Sequence, residues 1–236
     1  MDRLLPYFRA AVDRYKMIEQ NDHIAVGLSG GKDSVVLLAL LHRLRQFYPA
    51  KFSITAITAD PCFGGQETDY RAVTAFCERL NIPHIIRRTR LGGIVFDELK
   101  AKKPCSLCSR MRRGILDKMA QEAGCNTVAL GHHKDDAAET LLMNMFFGGR
   151  IGCFSPVTRL TRRELKLIRP MIFIDSKKIA SAAANCGLSV VKSGCPVNGQ
   201  TQRQQARELI ESLSGQYGPL VDRLVGAMQK GGISGW

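Results

Sequence analysis

A glycine-rich polar segment, Ser29-Gly-Gly-Lys-Asp-Ser34, follows the apolar run His23 to Leu28 and precedes leucines and valines at helical spacing. Such a loop between a buried strand and a helix suits a phosphate group, because glycines let backbone N–H groups approach the anion and the helix dipole adds a favourable field. The Walker A pattern fails, since Asp33 follows Lys32 where Ser or Thr is required. The segment therefore predicts a phosphate-binding loop of another kind, with a ligand-free glycine turn as the alternative.

A second polar segment, Gly131-His-His-Lys-Asp-Asp136, follows a strand predicted at Thr127 to Leu130. Open α/β sheets bind ligands at the edge formed by the carboxyl ends of their strands. We therefore expect His133 and Asp136 to contact a phosphate or a metal ion there, and Ala59, after the second strand, to lie at the same edge. Ordinary capping of a helix by an aspartate-rich turn is the alternative.

Of the eight cysteines, only Cys105 and Cys108 form a C-x-x-C pair. The pair stands at the start of a predicted helix, where the dipole favours thiolate. A structural zinc site usually takes four Cys or His ligands, and the chain has no second C-x-x-C. A redox dithiol stays open as well, although a thioredoxin-like context is missing.

The elements that must position these groups alternate along the chain. Apolar runs predict strands at 23–28, 52–59, 83–87, 127–130 and 165–168. Helical patterns cover about 4–18, 67–80, 106–123, 176–185, 202–214 and 219–230, and 150–164 is predicted to be a loop. This order predicts an α/β fold, an open and mostly parallel sheet flanked by helices, with helical N- and C-terminal extensions.

In this order, SGGKDS, CSLCSRMRRGIL and LGHHKDD resemble the tRNA 2-thiocytidine synthetase (TtcA) family, within the PP-loop ATP pyrophosphatase superfamily. The resemblance implies a PP-loop, adenine nucleotide alpha hydrolase-like domain over 21–193, preceded by a helix within 1–20 and followed by a helical segment over 194–236. It also implies cleavage of ATP between its α and β phosphates. The implied ATP-binding residues are Leu28, Ser29, Gly30, Gly31, Lys32, Asp33, Ser34, Ala59, Gly131 and His133, with Asp33 also placing Mg²⁺.

The same resemblance implies a [4Fe–4S] cluster. In that family a third cysteine lies a few residues before a Q-R-Q motif, and here Cys195 precedes Gln202-Arg203-Gln204. Cys105, Cys108 and Cys195 are therefore the implied ligands, which leaves one iron without a protein ligand and open to a sulfur species. Members often carry a second cysteine where this chain has Lys192, and the stretch 151–164 does not align.

The resemblance also implies the catalytic groups. Arg112 and Asp136 match a basic residue and an aspartate that act in the related thiouridine enzymes. Lys32, in the loop after the first strand, is the third implied catalytic residue and would hold the departing pyrophosphate.

The charge of the chain points to a polyanionic partner. Its 236 residues include 34 Lys and Arg against 21 Asp and Glu, a formal net charge of +13. Clustered basic residues favour structured RNA, and Arg113, Arg162 and Arg163 are the expected RNA contacts. The apolar runs are too short to cross a membrane and no signal peptide is evident, so a cytoplasmic location is expected.

These observations lead to one functional hypothesis, ATP-dependent tRNA thiolation. An anticodon-loop cytidine would be adenylated at its C2 oxygen and that oxygen replaced by sulfur, with ATP, Mg²⁺ and a [4Fe–4S] cluster as cofactors. The expected partners are tRNA, a sulfur donor such as a cysteine desulfurase or free sulfide, and a second copy in a homodimer. The alternatives are a tRNA 2-thiouridine synthetase, a lysidine-synthetase-like ligase that uses the same ATP loop, or a non-catalytic RNA-binding protein with structural zinc.

Overall fold

The computed structural model describes residues 1–100, 104–185, 187, 190–191, 194–197 and 201–236. Within these residues the strands are β1 (Asp22–Gly27), β2 (Phe52–Asp60), β3 (His84–Arg88), β4 (Thr127–Ala129), β5 (Val157–Leu160) and β6 (Leu165–Ile168). The α-helices are α1 (Leu5–Arg14), α2 (Lys32–Arg45), α3 (Arg71–Arg79), α4 (Leu91–Gly93), α5 (Pro104–Glu122), α6 (Lys134–Gly148), α7 (Ser176–Asn185), α8 (Gln202–Tyr217) and α9 (Leu220–Lys230).

The strands form one sheet in the order β3-β2-β1-β4-β6-β5. All neighbouring pairs are parallel except β5 and β6. The predicted open and mostly parallel sheet is therefore confirmed. The chain runs outward from β1 through β2 to β3 and then returns to place β4 on the other side of β1. This reversal is a topological switch point, the position where open α/β sheets bind ligands.

The prediction of a loop over 150–164 is wrong, because β5 lies within it and pairs antiparallel with β6. The segment Val-Thr-Arg-Leu is short and polar, and its side chains are only partly buried. Its strand conformation depends on backbone hydrogen bonds to β6, which hydrophobic patterning does not report. Residues 88–104, a polar and basic stretch between β3 and α5, contain the short helix α4. A π-helical turn at Ile94–Glu98 follows α4.

Both faces of the sheet are covered, because successive strand side chains point to opposite faces. Ile24 and Val26 of β1 share a core with the leucines of α2, whereas Ala25 packs on the other face with Met119 and Ala120 of α5. The N-terminal helix joins the first core through Phe8. Helices α2 and α5 therefore lie on opposite faces of the sheet.

The C-terminal helices pack against α6. Ala206 and Ile210 of α8 contact Ala138 and Leu142 of α6 in a small apolar core of their own. This packing brings the segment that follows residue 201 to the helix that starts beside β4. The domain boundaries expected at residues 20 and 193 stay a prediction. None of the helices in the described ranges is long and apolar enough to span a membrane.

A buried ion pair at the amino end of β1 yields a stability prediction. The Lys166 ammonium is buried and lies 2.8 Å from Asp22 Oδ2. Lys166→Met leaves the buried Asp22 carboxylate without its cation, so we expect the free energy of unfolding, measured in urea, to fall by about 3 kcal/mol. The control is Arg9→Met, which breaks an exposed pair with Asp13 and should cost less than about 1 kcal/mol. Equal losses in the two variants would contradict the argument.

Candidate active site

A cavity of about 460 Å³ opens at the switch point. Its walls come from the loop after β1, the residues after β2, the middle of α5, the segment after β4, and Val191 with Gly194. The expected ATP-binding residues that line it are Leu28, Ser29, Gly31, Asp33, Ser34, Ala59 and Gly131. The two polar segments therefore meet at one cavity, as the sequence predicts.

Glycine is required in the loop that precedes α2. Gly30 has φ +78°, and a Cβ atom there would lie 2.8 Å from Cγ2 of Val191. Its carbonyl accepts a 2.9 Å hydrogen bond from the backbone N–H of Val191. Within the loop, the Ser34 hydroxyl donates to the Gly31 carbonyl at 2.9 Å. The loop is thus fixed in shape, and the first N–H groups of α2 are available to an anion at its N-terminus.

Lys32 and Asp33 place opposite charges at the start of α2. The Lys32 ammonium lies 2.6 Å from Asp33 Oδ1 and 3.5 Å from the Ser176 hydroxyl of α7. The Lys32 and Asp33 side chains keep about a third of their surface exposed. A lysine suits a phosphate oxygen and a carboxylate suits Mg²⁺, so this pair matches a metal–nucleotide complex.

The segment after β4 touches the loop after β1. A Cβ atom on Gly131 would lie 3.2–3.3 Å from backbone atoms of Asp33 and Ser34, which is closer than nearly all real contacts of a side chain. The imidazole Nε2 of His133 lies 3.8 Å from Asp33 Oδ1. The side chains of both segments therefore act on the same small volume.

His133 and Asp136 also cap α6, so the capping alternative from the sequence is present in the structure. Asp136 Oδ2 accepts a 2.9 Å hydrogen bond from the His133 backbone N–H and lies 3.4 Å from His133 Nε2. Burial opposes a positive charge on His133, but the carboxylates of Asp135, Asp136 and Asp33 outweigh burial and raise the pKa of His133. The buried His133 imidazole thus lies among three carboxylates that favour its protonated form.

His132 is a cavity residue that the sequence reasoning did not select. It lines the cavity, and its ring centroid lies 5.0 Å from that of Phe154. Burial lowers the pKa of His132, so its imidazole is neutral at pH 7. Its buried Nδ1 has no hydrogen-bond partner in the part of the chain that the structure describes. The one sequence signal that His132 lies at the cavity was its position directly before His133.

Helix α5 brings cysteine and arginine to the cavity wall. Cys108 is buried against Leu91 and Val95, and Arg112 Nη2 lies 3.7 Å from its sulfur. Arg112 and Arg113 both line the cavity. The side chains at 108 and 112 meet because residues four apart share one face of a helix.

The three cysteines expected to bind a cluster share one neighbourhood. Cys105 is exposed, Cys108 is buried and Cys195 is half-buried. Burial raises the pKa of the Cys105 thiol, and the sulfur atoms of Cys195 and Cys108 raise it further. In the described residues no three His, Cys, Asp or Glu side chains are drawn together as a metal site. The set of three thiols fits the ligands that iron–sulfur clusters prefer, although the side chains do not have ligating geometry.

The other described cysteines are not among the expected cluster ligands. Burial raises the pKa of the Cys77, Cys125 and Cys153 thiols to about 11, and also raises that of the Cys62 thiol. Such thiols behave as small apolar side chains. Cys186 lies outside the described residues, as does the side chain of Arg162.

Two arginines of α8 hold a buried carboxylate of α6, a network that the sequence reasoning missed. Arg203 Nη1 lies 3.0 Å from Asp136 Oδ1 and 3.1 Å from Glu139 Oε2, while Arg207 Nε lies 2.7 Å from Glu139 Oε1. Glu139 is only 1% exposed. In the sequence, Arg203 is only the middle residue of the Q-R-Q motif that follows Cys195. The available sequence signal was the spacing of four residues between the two arginines, which places both on one face of a helix.

The contact between Arg203 and Asp136 has a pH signature. Burial raises the pKa of Asp136, but the charges of His133 and Arg203 lower it further than burial raises it. A carboxylate whose pKa is lowered by folding adds stability at pH values above its pKa in the unfolded chain, about 3.9. That stability is lost as the pH falls through its pKa in the native protein. Arg203→Met should therefore cost most stability near pH 7 and less below about pH 4.

The matched control for Arg203→Met is Arg207→Met, which removes a hydrogen bond to Glu139 and leaves the hydrogen bond between Arg203 and Asp136 in place. Unfolding free energies of both variants, measured from pH 3 to pH 7, check the prediction. Because both arginines contact Glu139, the difference between the variants reports on Asp136. Parallel pH profiles for the two variants would contradict the assignment.

Comparisons with known proteins agree with the geometry of the cavity. A family model described as a PP-loop domain matches residues 6–211. The tRNA-cytidine(32) 2-sulfurtransferase of Syntrophotalea carbinolica is 35% identical over 221 residues, which cover 92% of this chain and 85% of that protein. The protein of the same name from Pelobacter propionicus is 37% identical over 221 residues, covering 89% and 81% respectively.

Solved structures give the same answer for the fold. The U34-tRNA thiolase NcsA from Methanococcus maripaludis, described with its [4Fe–4S] cluster, superposes with a TM-score of 0.78 at 26% identity, over 95% of this chain and 77% of that one. An NH3-dependent NAD synthetase from Campylobacter jejuni shares the fold alone, with a TM-score of 0.52 at 17% identity over 100% and 96%. The family match over residues 6–211 shows that the chain belongs to the PP-loop proteins. Its relatives at 35–37% identity place it, among them, in the tRNA-cytidine(32) 2-sulfurtransferase family.

Proposed function

We propose that this protein is an ATP-dependent sulfurtransferase that converts an anticodon-loop cytidine of tRNA to 2-thiocytidine. One observation carries the proposal. The cavity between the two polar segments is also walled by the helix that bears Cys105 and Cys108 and by Gly194, next to Cys195. An ATP site and a group of thiols at one cavity fit a reaction that activates a base and then adds sulfur to it.

The first step is adenylation. The C2 oxygen of cytidine attacks the α-phosphorus of ATP, the bond from that phosphorus to the β-bridging oxygen breaks, and pyrophosphate leaves. The N–H groups of the loop, the hydroxyls of Ser29 and Ser34, and Lys32 hold the pyrophosphate, and Asp33 would hold Mg²⁺. Leu28 and Ala59 contact the nucleoside, and Gly131 and His133 border the phosphates from the other side.

The second step replaces AMP with sulfur. Cys105, Cys108 and Cys195 would hold a [4Fe–4S] cluster, which would supply an iron without a protein thiolate, open to the incoming sulfur. Asp136 is held as a carboxylate by His133 and Arg203, and it accepts the proton that the sulfur loses as the C2–oxygen bond breaks and AMP departs. Arg112, beside Cys108, stabilises the negative charge on the departing phosphate.

The identity of the target base distinguishes two candidates. The relatives at 35–37% identity are named for cytidine 32, whereas the solved thiolase at 26% identity is named for uridine 34. The higher identity favours cytidine. Mass spectrometry of nucleosides from tRNA treated with the purified protein separates 2-thiocytidine from 2-thiouridine, and lysidine would favour the ligase alternative. The sulfur donor, a cysteine desulfurase or free sulfide, and the homodimer belong to the same proposal.

Lys32→Met should reduce release of AMP and pyrophosphate by roughly 100-fold or more, because it removes a charge from the leaving group in the transition state. The measurement is chromatography of nucleotides in the presence of tRNA. Lys178→Met is the matched control, since that lysine of α7 is 47% exposed and pairs with Asp175, the residue before the helix. Release of ADP and phosphate by the wild type would contradict the proposed cleavage between the α and β phosphates.

Replacing Cys105, Cys108 or Cys195 with Ala should lower bound iron and sulfide in anaerobically purified protein and abolish thiolation, while ATP binding remains. The loop that binds the phosphates lies on another element, which is why the two effects separate. Cys62→Ala is the control and should keep its iron. Full iron content and thiolation in Cys195→Ala would disprove the set of three ligands. Stoichiometric zinc without iron would assign the site to structural zinc.

A further inference from the structure

A second depression of about 440 Å³ lies between α5 and the turn that joins β5 to β6. Its polar lining consists of Arg110, Arg113, Arg159, Thr161, Arg163 and Asp117. Four arginines face one carboxylate, so the depression carries a strong positive charge. An arginine guanidinium presents several N–H donors in a planar fork that matches the oxygens of a phosphate group. The lining therefore favours a phosphate ligand.

This depression adjoins the active-site cavity. Arg113 and Asp117 line both, and they lie one turn apart on α5. The two volumes thus share a pair of lining side chains. A polyanion that places one group in the active-site cavity can reach the depression with the group next to it.

The geometry of Arg163 is fixed before any ligand binds. Its Nη1 lies 2.5 Å from Asp117 Oδ2, and Asp117 is 3% exposed. The Arg163 side chain nevertheless keeps 43% of its surface exposed, so the remainder of its fork stays accessible. A prepositioned arginine loses little side-chain entropy on binding.

We propose that this depression binds a single phosphodiester of the RNA backbone, the one adjoining the nucleotide whose base enters the active-site cavity. The inference rests on the proposed function, because it takes the substrate to be RNA. Arg163 and Arg113 contact that phosphate, and Arg110 and Arg159 add to the local positive potential. The site sets the register of the strand, since the distance along the backbone from this phosphate determines which base reaches the cavity.

A double-mutant cycle on binding tests the contact. The RNA is an anticodon stem-loop that carries the target cytidine, either unmodified or with one neutral methylphosphonate at the linkage on the 5′ or the 3′ side of that cytidine. The protein is the wild type or Arg163→Gln, whose amide can still donate to the buried Asp117. We expect each single change to weaken binding by about tenfold, as for the loss of one hydrogen bond to a charged group. Combined at one of the two linkages, the changes should weaken binding no further.

The salt dependence gives a second measurement. In Arg163→Gln the slope of the logarithm of the binding constant against the logarithm of salt should fall by about 0.7, the value for one phosphate of a single strand. Arg43→Gln is the matched control, because Arg43 is 51% exposed and lies in the last turn of α2, away from the loop at its start. A second variant, Arg159→Gln, probes the same depression without touching Asp117 and should lower the slope in the same direction.

Three outcomes would overturn the proposal. The first is additive loss at both linkages, which would place Arg163 away from these phosphates. The second is an equal loss in Arg43→Gln. The third is a matched loss of ATP affinity in Arg163→Gln, which would assign the depression to the phosphates of ATP. If the cycle shows coupling but the wild type thiolates no tRNA, the proposed function fails and the phosphate site stands.

Discussion

The contact between Gly131 and the backbone of Asp33 and Ser34 is the constraint on which the site depends. It holds the start of α2 and the start of α6 against each other at the point where the strand order reverses. Both helices direct their positive dipole ends toward this junction, and α2 adds its first N–H groups. Two helix N-termini and the Lys32 side chain then surround one small volume. This arrangement suits the negative charges of a triphosphate. A side chain at position 131 would press on the backbone of Asp33 and Ser34, which would have to shift by a few tenths of an ångström.

Positive and negative side chains are packed around that junction, and each one shifts the pKa of its neighbours. His133 lies within 3.8 Å of carboxylate oxygens from Asp33, Asp135 and Asp136, and these carboxylates raise its pKa although it is buried. Arg203 approaches Asp136 from α8 and keeps that carboxylate ionised. The C-terminal helices therefore do more than cover the core, because they set the charge state of a group at the site. Val191, which hydrogen-bonds to Gly30, ties the same part of the chain to the phosphate loop.

Helix α5 connects the three chemical tasks. Cys105 and Cys108 lie in its first turns, Arg112 follows one turn after Cys108, and Arg113 and Asp117 form the wall shared with the basic depression. Residues three or four apart lie on one face of a helix, so one rigid element presents thiol, guanidinium and carboxylate groups in sequence along the cavity. The positions proposed for the sulfur site, the nucleotide and the RNA backbone thus lie along a single helix.

Short-range patterns in the sequence determined the parallel strands, most helices and the two polar segments at their ends. The strand at 165–168 and the helix at 176–185 agree with β6 and α7, and the two polar segments meet because parallel strands end at one edge. Such features depend on residues close together in the chain, whose periodicity can be read directly. Only the tertiary structure decided β5, whose hydrogen bonds come from β6, and the contacts of Arg203 with Asp136 and of Arg163 with Asp117. These partners are 67 and 46 residues apart in sequence, and a single charged residue does not indicate which distant charge it will meet when the chain folds.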